Sequence, residues 1–376
     1  MSAAESSRPW LAPEVFPTQA RTSSNQMSSG SPSPALSSDL DWCFDAVHGV
    51  SRTFSITIDR LEEPMARQIC VGYLLCRIAD TIEDAGHVPP SAQSDLLTEY
   101  DRLLDPTDEY TVDQFVDAVS PWLPEPDERS ADWTVVAETA RVFRAFETLD
   151  DEPRELMRDP IRELVGGMAM FTERYADEGG LRLQTIDELE EYCWYAAGTV
   201  GTLITELLVR DSSPERTAEL RDNARSFALL LQLVNIAKDV RSDYHEENNV
   251  YLPAEWLAEE AVAPDAVTDT DNHQEVTTVV RRVVDRAERY LDDAHRYLEI
   301  LPEHRGNNLS AWAIPYLLAV GTLRELRQRS KDVVRTGDVK LAREEVYTVI
   351  QRFDTGVSRG ELDELRQTMA SEPLHR

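Results

Sequence analysis

Residues 71–84 read Val71-Gly72-Tyr73-Leu74-Leu75-Cys76-Arg77-Ile78-Ala79-Asp80-Thr81-Ile82-Glu83-Asp84. Residues 227–243 read Phe227-Ala228-Leu229-Leu230-Leu231-Gln232-Leu233-Val234-Asn235-Ile236-Ala237-Lys238-Asp239-Val240-Arg241-Ser242-Asp243. In the first stretch Tyr73, Arg77, Asp80 and Asp84 fall at i, i+4, i+7 and i+11. In the second, Gln232, Asn235, Asp239 and Asp243 fall at i, i+3, i+7 and i+11. That spacing predicts an α-helix carrying a single polar stripe. The remaining sides are mainly apolar, and a helix apolar nearly all round is buried, so the stripe faces the interior. Buried carboxylates without partners are very costly. Mg²⁺ is the natural partner, because it takes one or two protein carboxylates and leaves its other positions to water and phosphate oxygens. Two such stripes across a cavity would hold Mg²⁺ against a diphosphate. Asp80, Asp84, Asp239 and Asp243 are therefore the candidate metal ligands, with Glu83 added as the third acid of the Asp80-Thr81-Ile82-Glu83-Asp84 motif.

Spacing alone does not carry that reading. Asp fills 33 of 376 positions, so about three D-x-x-x-D pairs arise by chance, and six occur. Asp41/Asp45, Asp101/Asp105, Asp113/Asp117 and Asp265/Asp269 read as solvated helix faces or connections. Only the pairs ending the two quoted helices sit in apolar surroundings.

Working outward, the pattern is helical nearly everywhere from Asp39 on. Further helices are expected near 91–104, 112–120, 131–147, 153–177, 187–209, 274–299, 309–334, 341–352 and 358–369. Period-two alternation and internal repeats are absent, so the expected fold is a single all-α domain over 38–376. Residues 1–37 are rich in Ser, Pro and Thr and are expected to form a disordered tail.

The net charge of −32 argues against nucleic acid as the partner. Only three of the 38 basic residues are lysine, Lys238, Lys331 and Lys340. This balance suggests a protein from an extreme halophile, where salt screens self-repulsion. Cys43, Cys70, Cys76 and Cys193 lie in apolar periodic segments and read as reduced, packed thiols. No run of 18 apolar residues predicts a membrane span, and no secretory signal opens the chain. The expected location is the cytoplasm, with peripheral association at the inner membrane face as an option for product release. The chain is read as a monomer or homodimer.

Two further segments complete the pattern. Ser51-Arg52-Thr53-Phe54 offers hydroxyls and a guanidinium that can fork onto phosphate oxygens. Tyr192-Cys193-Trp194-Tyr195-Ala196-Ala197-Gly198-Thr199-Val200-Gly201 is aromatic, then small. Each glycine inside that helix costs roughly 1 kcal/mol against alanine. Gly198 and Gly201 thus imply a close neighbour, either another helix or a long ligand.

In order along the chain, these four segments and Tyr251-Leu252-Pro253 closely resemble the squalene and phytoene synthase family of head-to-head prenyltransferases. The resemblance runs from Ser51 to about Tyr347. It implies an isoprenoid-synthase helical bundle with a central active-site cavity, lined by Phe54, Tyr73, Leu203 and Leu231. It implies prenyl diphosphate substrates, Mg²⁺, and diphosphate binding by Ser51, Arg52, Arg77, Gln232 and Asn235. It also implies catalysis by Tyr192 with Asp80, Asp84, Asp239 and Asp243, Tyr192 helping to remove the proton that closes a cyclopropane.

Ala313-Ile314-Pro315 with Ala319, Thr322 and Leu323, and Val339-Lys340 with Arg343, look like the squalene synthase branch. That branch reduces presqualene diphosphate with NADPH, for which Lys340, Arg343 and Tyr73 are the candidate contacts. Val250-Tyr251-Leu252-Pro253 and Gly198-Thr199-Val200-Gly201 look more like phytoene synthase. The alternative product is therefore phytoene, from two geranylgeranyl diphosphates, or dehydrosqualene, without reduction. Two departures stand out: Lys238 where the family usually has arginine, and Asn248-Asn249 where an arginine usually reaches the diphosphate. No hydrophobic anchor is expected after Asp354. A non-catalytic acidic helical scaffold is the remote alternative, and it requires both polar stripes to face solvent.

Overall fold

The structure, a computed structural model, describes residues 34–354 and 356–375, with the side chains of 34–37 and Arg52 left aside. Helices α1 (Pro34–Val50), α2 (Arg52–Arg60), α3 (Met65–Glu83) and α4 (Pro90–Leu104) open the chain. Then come α5 (Val112–Val119), α6 (Ala131–Ala137), α7 (Thr139–Glu147), α8 (Asp151–Arg174), α9 (Ile186–Cys193) and α10 (Thr199–Val209). The chain continues through α11 (Pro214–Ser242), α12 (Ala254–Glu259), α13 (His273–Glu288) and α14 (Leu291–Ile300). It ends with α15 (Leu309–Arg335), α16 (Arg343–Asp354) and α17 (Arg359–Ser371). Among the described residues there is no strand, only an isolated bridge between Arg182 and Val250. The all-α expectation holds. Helix α1 begins at Pro34, inside the segment expected to be a tail, and residues 1–33 lie outside the described residues.

The helices start where the sequence supplies caps. Thr111 and Gln114 form a capping box at α5, and the Ser130, Thr185 and Ser213 side chains accept backbone N–H groups at α6, α9 and α11. Three expected helices are interrupted. The span 131–147 breaks at Glu138, where the Thr139 hydroxyl donates to the Val136 carbonyl at 2.6 Å and competes with the helical ladder. The span 187–209 contains a π-helical turn at Trp194–Gly198, and 274–299 breaks after Glu288.

Helix α11 is packed against α10, α13, α14 and α15, and α3 against α1, α4, α6 and α8. Leu74, Leu75 and Ile78 of α3 are fully buried, which stabilises the fold by roughly 1.5–3 kcal/mol apiece. All four cysteines are buried and free. The two glycines that implied a close neighbour have a helical explanation. A Cβ on Gly201 would press on Ala228 and the Ala224 carbonyl of α11, and one on Gly198 would strike the Trp194 ring.

Candidate active site

A cleft enclosing about 1500 Å³, counting the part open to solvent, runs between α2, α3, α8, α10, α11 and α15. Its apolar wall includes Phe54, Tyr73, Leu164, Met168, Val200, Ile204, Phe227, Leu231 and Trp312. Leu203, expected on this wall, instead packs against α3 beside Gly72. A helix turns about 100° per residue, so its neighbour Ile204 takes the place. One end is acidic: Asp80 on α3 and Asp84 capping it meet Asp239 on α11 and Asp243 capping it, with Glu246 and Glu247 from the turn that follows. The polar stripes therefore line the cleft rather than the outer surface that the scaffold reading requires.

The loops after the two acidic helix ends touch. A Cβ on Gly86 would lie 2.8 Å from the Glu246 carbonyl oxygen, so only glycine lets the chains approach there. Burial and mutual repulsion act together on the carboxyls. Burial raises Asp84, with Glu247 and Asp80 adding to it, and burial raises Asp243, with Asp239 adding to it. Burial likewise raises Glu247, then Asp243 and Asp80. This excess of negative charge fits hard cations. Among the described residues no three His, Cys, Asp or Glu side chains group closely enough to hold an ion by themselves. The donor set is paired carboxylates on opposite walls, which suits Mg²⁺ completed by phosphate oxygens and water.

The cations at this end are already engaged by protein. Arg77, 3% exposed, donates from Nε to Asp132 Oδ1 at 2.8 Å and pairs with Asp80. Asp132 was invisible in the sequence, a lone acid at the end of an acidic connection. Lys238 is buried and paired with Asp239. Arg77 lines the cavity with its guanidinium held by both Asp80 and Asp132.

Other expected residues divide between wall and core. Gln232, Asn235, Tyr73 and Tyr192 line the cavity. The Oδ1 of Asn235 and the Oγ1 of Thr53 are buried there with no partner among the described side chains. Ser51 caps α2, its hydroxyl accepting from the Phe54 N–H at 3.1 Å, and Arg52's side chain lies outside the described residues. Glu83 is turned into the core, where its Oε2 lies 3.2 Å from the Tyr192 hydroxyl, so its carboxylate does not join the metal-facing set. One residue from Asp84, it points about 100° away around the helix.

Lys340 and Arg343 stand outside the cavity wall, on the segment entering α16 and on its first turn. The turn before that segment packs on the far side of α11 from the Asp239 and Asp243 carboxylates, since two residues turn a helix by about 200°. Gly337, in the left-handed region, lies against the side chain of Arg241, which sits between Asp239 and Asp243 on α11.

Asn248 and Asn249 have structural work. Asn248 takes a left-handed conformation, and buried Arg182 donates to its carbonyl at 2.5 Å and to its Oδ1 at 2.9 Å. Glu247 and Tyr251 also belong to the site and were not predicted. Glu247 had a signal, since it extends the spacing of Asp239 and Asp243 by four more residues.

The family model described as Squalene/phytoene synthase matches residues 47–345. "Squalene synthase 1" of Arabidopsis thaliana is 27% identical over 326 residues, covering 84% of this chain and 71% of that protein. A "15-cis-phytoene synthase" of Enterobacter agglomerans is 38% identical over 134 residues, 35% of this chain and 41% of that protein. Among solved structures, "The complex structure of TcSQS with ligand, BPH1237" superposes with a TM-score of 0.70 at 23% identity. It covers 89% of this chain and 97% of its own. No helix among the described residues is long and apolar enough to cross a membrane.

Proposed function

Because the chain belongs to the squalene/phytoene synthase family, we propose that it condenses two farnesyl diphosphates head-to-head through presqualene diphosphate. Reduction with NADPH then gives squalene. The observation that carries this reading is the meeting of two carboxylate-bearing helices at one end of a long apolar cleft. An acidic end suits diphosphates bound through cations, and an apolar body suits prenyl chains. Along α11, 16 residues separate Asp243 from Phe227, about 24 Å at 1.5 Å per residue.

Asp80, Asp84, Asp239 and Asp243 would hold Mg²⁺, which when bound supplies Lewis-acid charge at the leaving diphosphate. Arg77 keeps Asp80 in place, and Gln232 and the unpartnered Asn235 Oδ1 face the same space. Phe54, Tyr73, Leu231 and Trp312 exclude water from a reactive allylic cation. Attack by the second substrate's double bond on that cation is followed by proton loss, which closes the cyclopropane. Tyr192, on the wall, is the group that relays this proton, giving up its own O–H proton as it takes the new one, with the released diphosphate as the final acceptor. Burial raises its phenol well above the usual range, so it enters the step neutral. For NADPH, which supplies hydride, Tyr73 on the wall and the segment carrying Lys340 and Arg343 are the proposed contacts.

The segment Tyr251-Leu252-Pro253 and the stretch similar to a phytoene synthase favour a second reading, condensation without reduction. One incubation separates them: labelled farnesyl diphosphate and Mg²⁺, with and without NADPH, products extracted and identified. Squalene appearing only with NADPH is the expected result. Product unaffected by NADPH overturns the reductive step, and conversion of geranylgeranyl but not farnesyl diphosphate overturns the substrate. The acidic surface is proposed to require high salt. A chain equally stable in molar KCl and in dilute buffer would overturn that.

A further inference from the structure

The Tyr192 hydroxyl does not stand alone in the wall. It lies 3.2 Å from Glu83 Oε2 on one side and 3.2 Å from the Tyr251 hydroxyl on the other. The Tyr251 oxygen in turn receives the side-chain N–H of Asn249 at 3.1 Å. Asn249 cannot turn its amide round, because its Oδ1 accepts the Leu181 backbone N–H at 2.9 Å. Its backbone N–H is also anchored, donating to the Asp243 carbonyl at 2.9 Å.

This arrangement has a direction. An amide nitrogen only donates, so the Tyr251 oxygen accepts from Asn249 and its own proton is free for Tyr192. Tyr192 has a single O–H proton, and the hydrogen bond to Glu83 Oε2 takes it, so the contact with Tyr251 is made with Tyr251 as the donor. The phenol oxygen of Tyr192 has two lone pairs. One takes the Tyr251 proton, and the other is left for the cavity that both tyrosines line. Ring packing holds the planes: the Tyr192 and Tyr251 rings lie 4.9 Å apart, and Phe171 meets Tyr192 edge-on at 5.4 Å. Packing alone does not orient a hydroxyl. The hydrogen bonds do.

We infer that Tyr251, itself oriented by Asn249, is a positioning residue for the first half-reaction: it donates to Tyr192 and leaves one Tyr192 lone pair aimed at the bound prenyl chain. The inference rests on the role proposed for Tyr192. It also gives a use to the Asn248-Asn249 pair, where the family usually places an arginine: in this chain that position aligns the hydroxyl line instead of reaching diphosphate.

The test compares full-length wild type, Tyr251→Phe, Asn249→Asp and the double variant, with farnesyl diphosphate and Mg²⁺ and without NADPH. The readout is the rate of presqualene diphosphate formation and its Michaelis constant. Tyr251→Phe keeps the ring and removes the donor. Asn249→Asp keeps the acceptor for Leu181 but offers Tyr251 an acceptor as well, which draws its proton away from Tyr192. Each single variant is expected to lower kcat about tenfold, the worth of one hydrogen bond, with KM unchanged. The melting temperature should hold in Tyr251→Phe and fall in Asn249→Asp, whose new carboxylate replaces an amide nitrogen 3.5 Å from Glu247 Oε2. The double variant should lose no more than the worse single one, because both act through one hydroxyl. An unchanged kcat in Tyr251→Phe, losses that multiply in the double variant, or a change confined to KM would each overturn the inference. Wild type that forms no presqualene diphosphate at all would overturn the underlying function, and the inference with it.

Discussion

Two of the places where the protein buries charge do so in opposite ways. Where α15 meets α16, Arg324 and Glu345 are 2% and 1% exposed. The guanidinium donates to both carboxylate oxygens at 2.8 Å and to the Met369 carbonyl at 2.8 Å, while Glu345 Oε1 also accepts the Leu374 N–H at 3.3 Å. Glu325 takes the remaining edge. Charge and hydrogen bonds are matched group for group, and the result ties α17 to the bundle. At the acidic end of the cleft, Asp84, Asp243 and Glu247 crowd together, while Arg77 and Lys238 are already committed to Asp80, Asp132 and Asp239. A buried charge that serves the fold finds its partner within the fold. An excess of one sign marks a place completed by something from outside.

The sharpest way to break this comparison is to remove one acid from the unbalanced end. Asp80→Ala or Asp239→Ala is expected to lower turnover about a thousandfold or more, since Lewis-acid help at a leaving group is worth several kcal/mol. The fold should survive: Asp80→Ala leaves Arg77 its second partner Asp132, so the melting temperature should stay level or rise as like-charge repulsion is relieved, whereas Asp239→Ala strands buried Lys238 and should lower it. Near-normal turnover in either variant would reject that motif as a metal holder.

At the balanced cluster the expectation reverses. Arg324→Ala strands Glu345 and should cost about 3–5 kcal/mol in chemical denaturation, with turnover of the folded fraction intact. Arg324→Met combined with Glu345→Leu should recover most of that stability. If the single variant were as stable as wild type, the cluster would not anchor α17 as described.

A third contrast is with pH. Asp84, Asp243 and Glu247 have raised pKa values, so the metal-free fold holds protons that the unfolded chain releases near pH 4. The folded state binds more protons across that window, so its stability falls as pH rises through it. Asp84→Asn should flatten the fall in melting temperature. Parallel wild-type and variant curves would show that Asp84 does not titrate differently in the two states.

The smallest effect concerns Arg77. Arg77→Lys keeps the charge but loses the fork that joins Asp80 to Asp132, and turnover should drop about tenfold, the size of one charge-assisted hydrogen bond. Unchanged kinetics would mean that charge alone suffices to place Asp80.

The comparison also separates pairs that share a spacing. Asp113 and Asp117 on α5 are exposed, as are Asp41 and Asp45 on α1, although each pair repeats the four-residue interval of Asp80 and Asp84. The residues between and before them decide: α3 and the second half of α11 are buried nearly all round, whereas α5 buries only Phe115 and Val119.

What the sequence determined by itself was therefore the periodic part. Helix positions, the burial of α3 and α11, and the fact that Asp80, Asp84, Asp239 and Asp243 look inward all follow from local spacing, because a helix converts residue intervals directly into faces. Tertiary structure decided the rest. Glu83 turned from candidate ligand to partner of Tyr192, Arg77 acquired Asp132 from 55 residues away, and Asn249 was committed to Leu181 and Tyr251. Hydrogen-bond partners far apart in the chain leave no periodic trace, since they are set by how helices pack and where the connections between them cross.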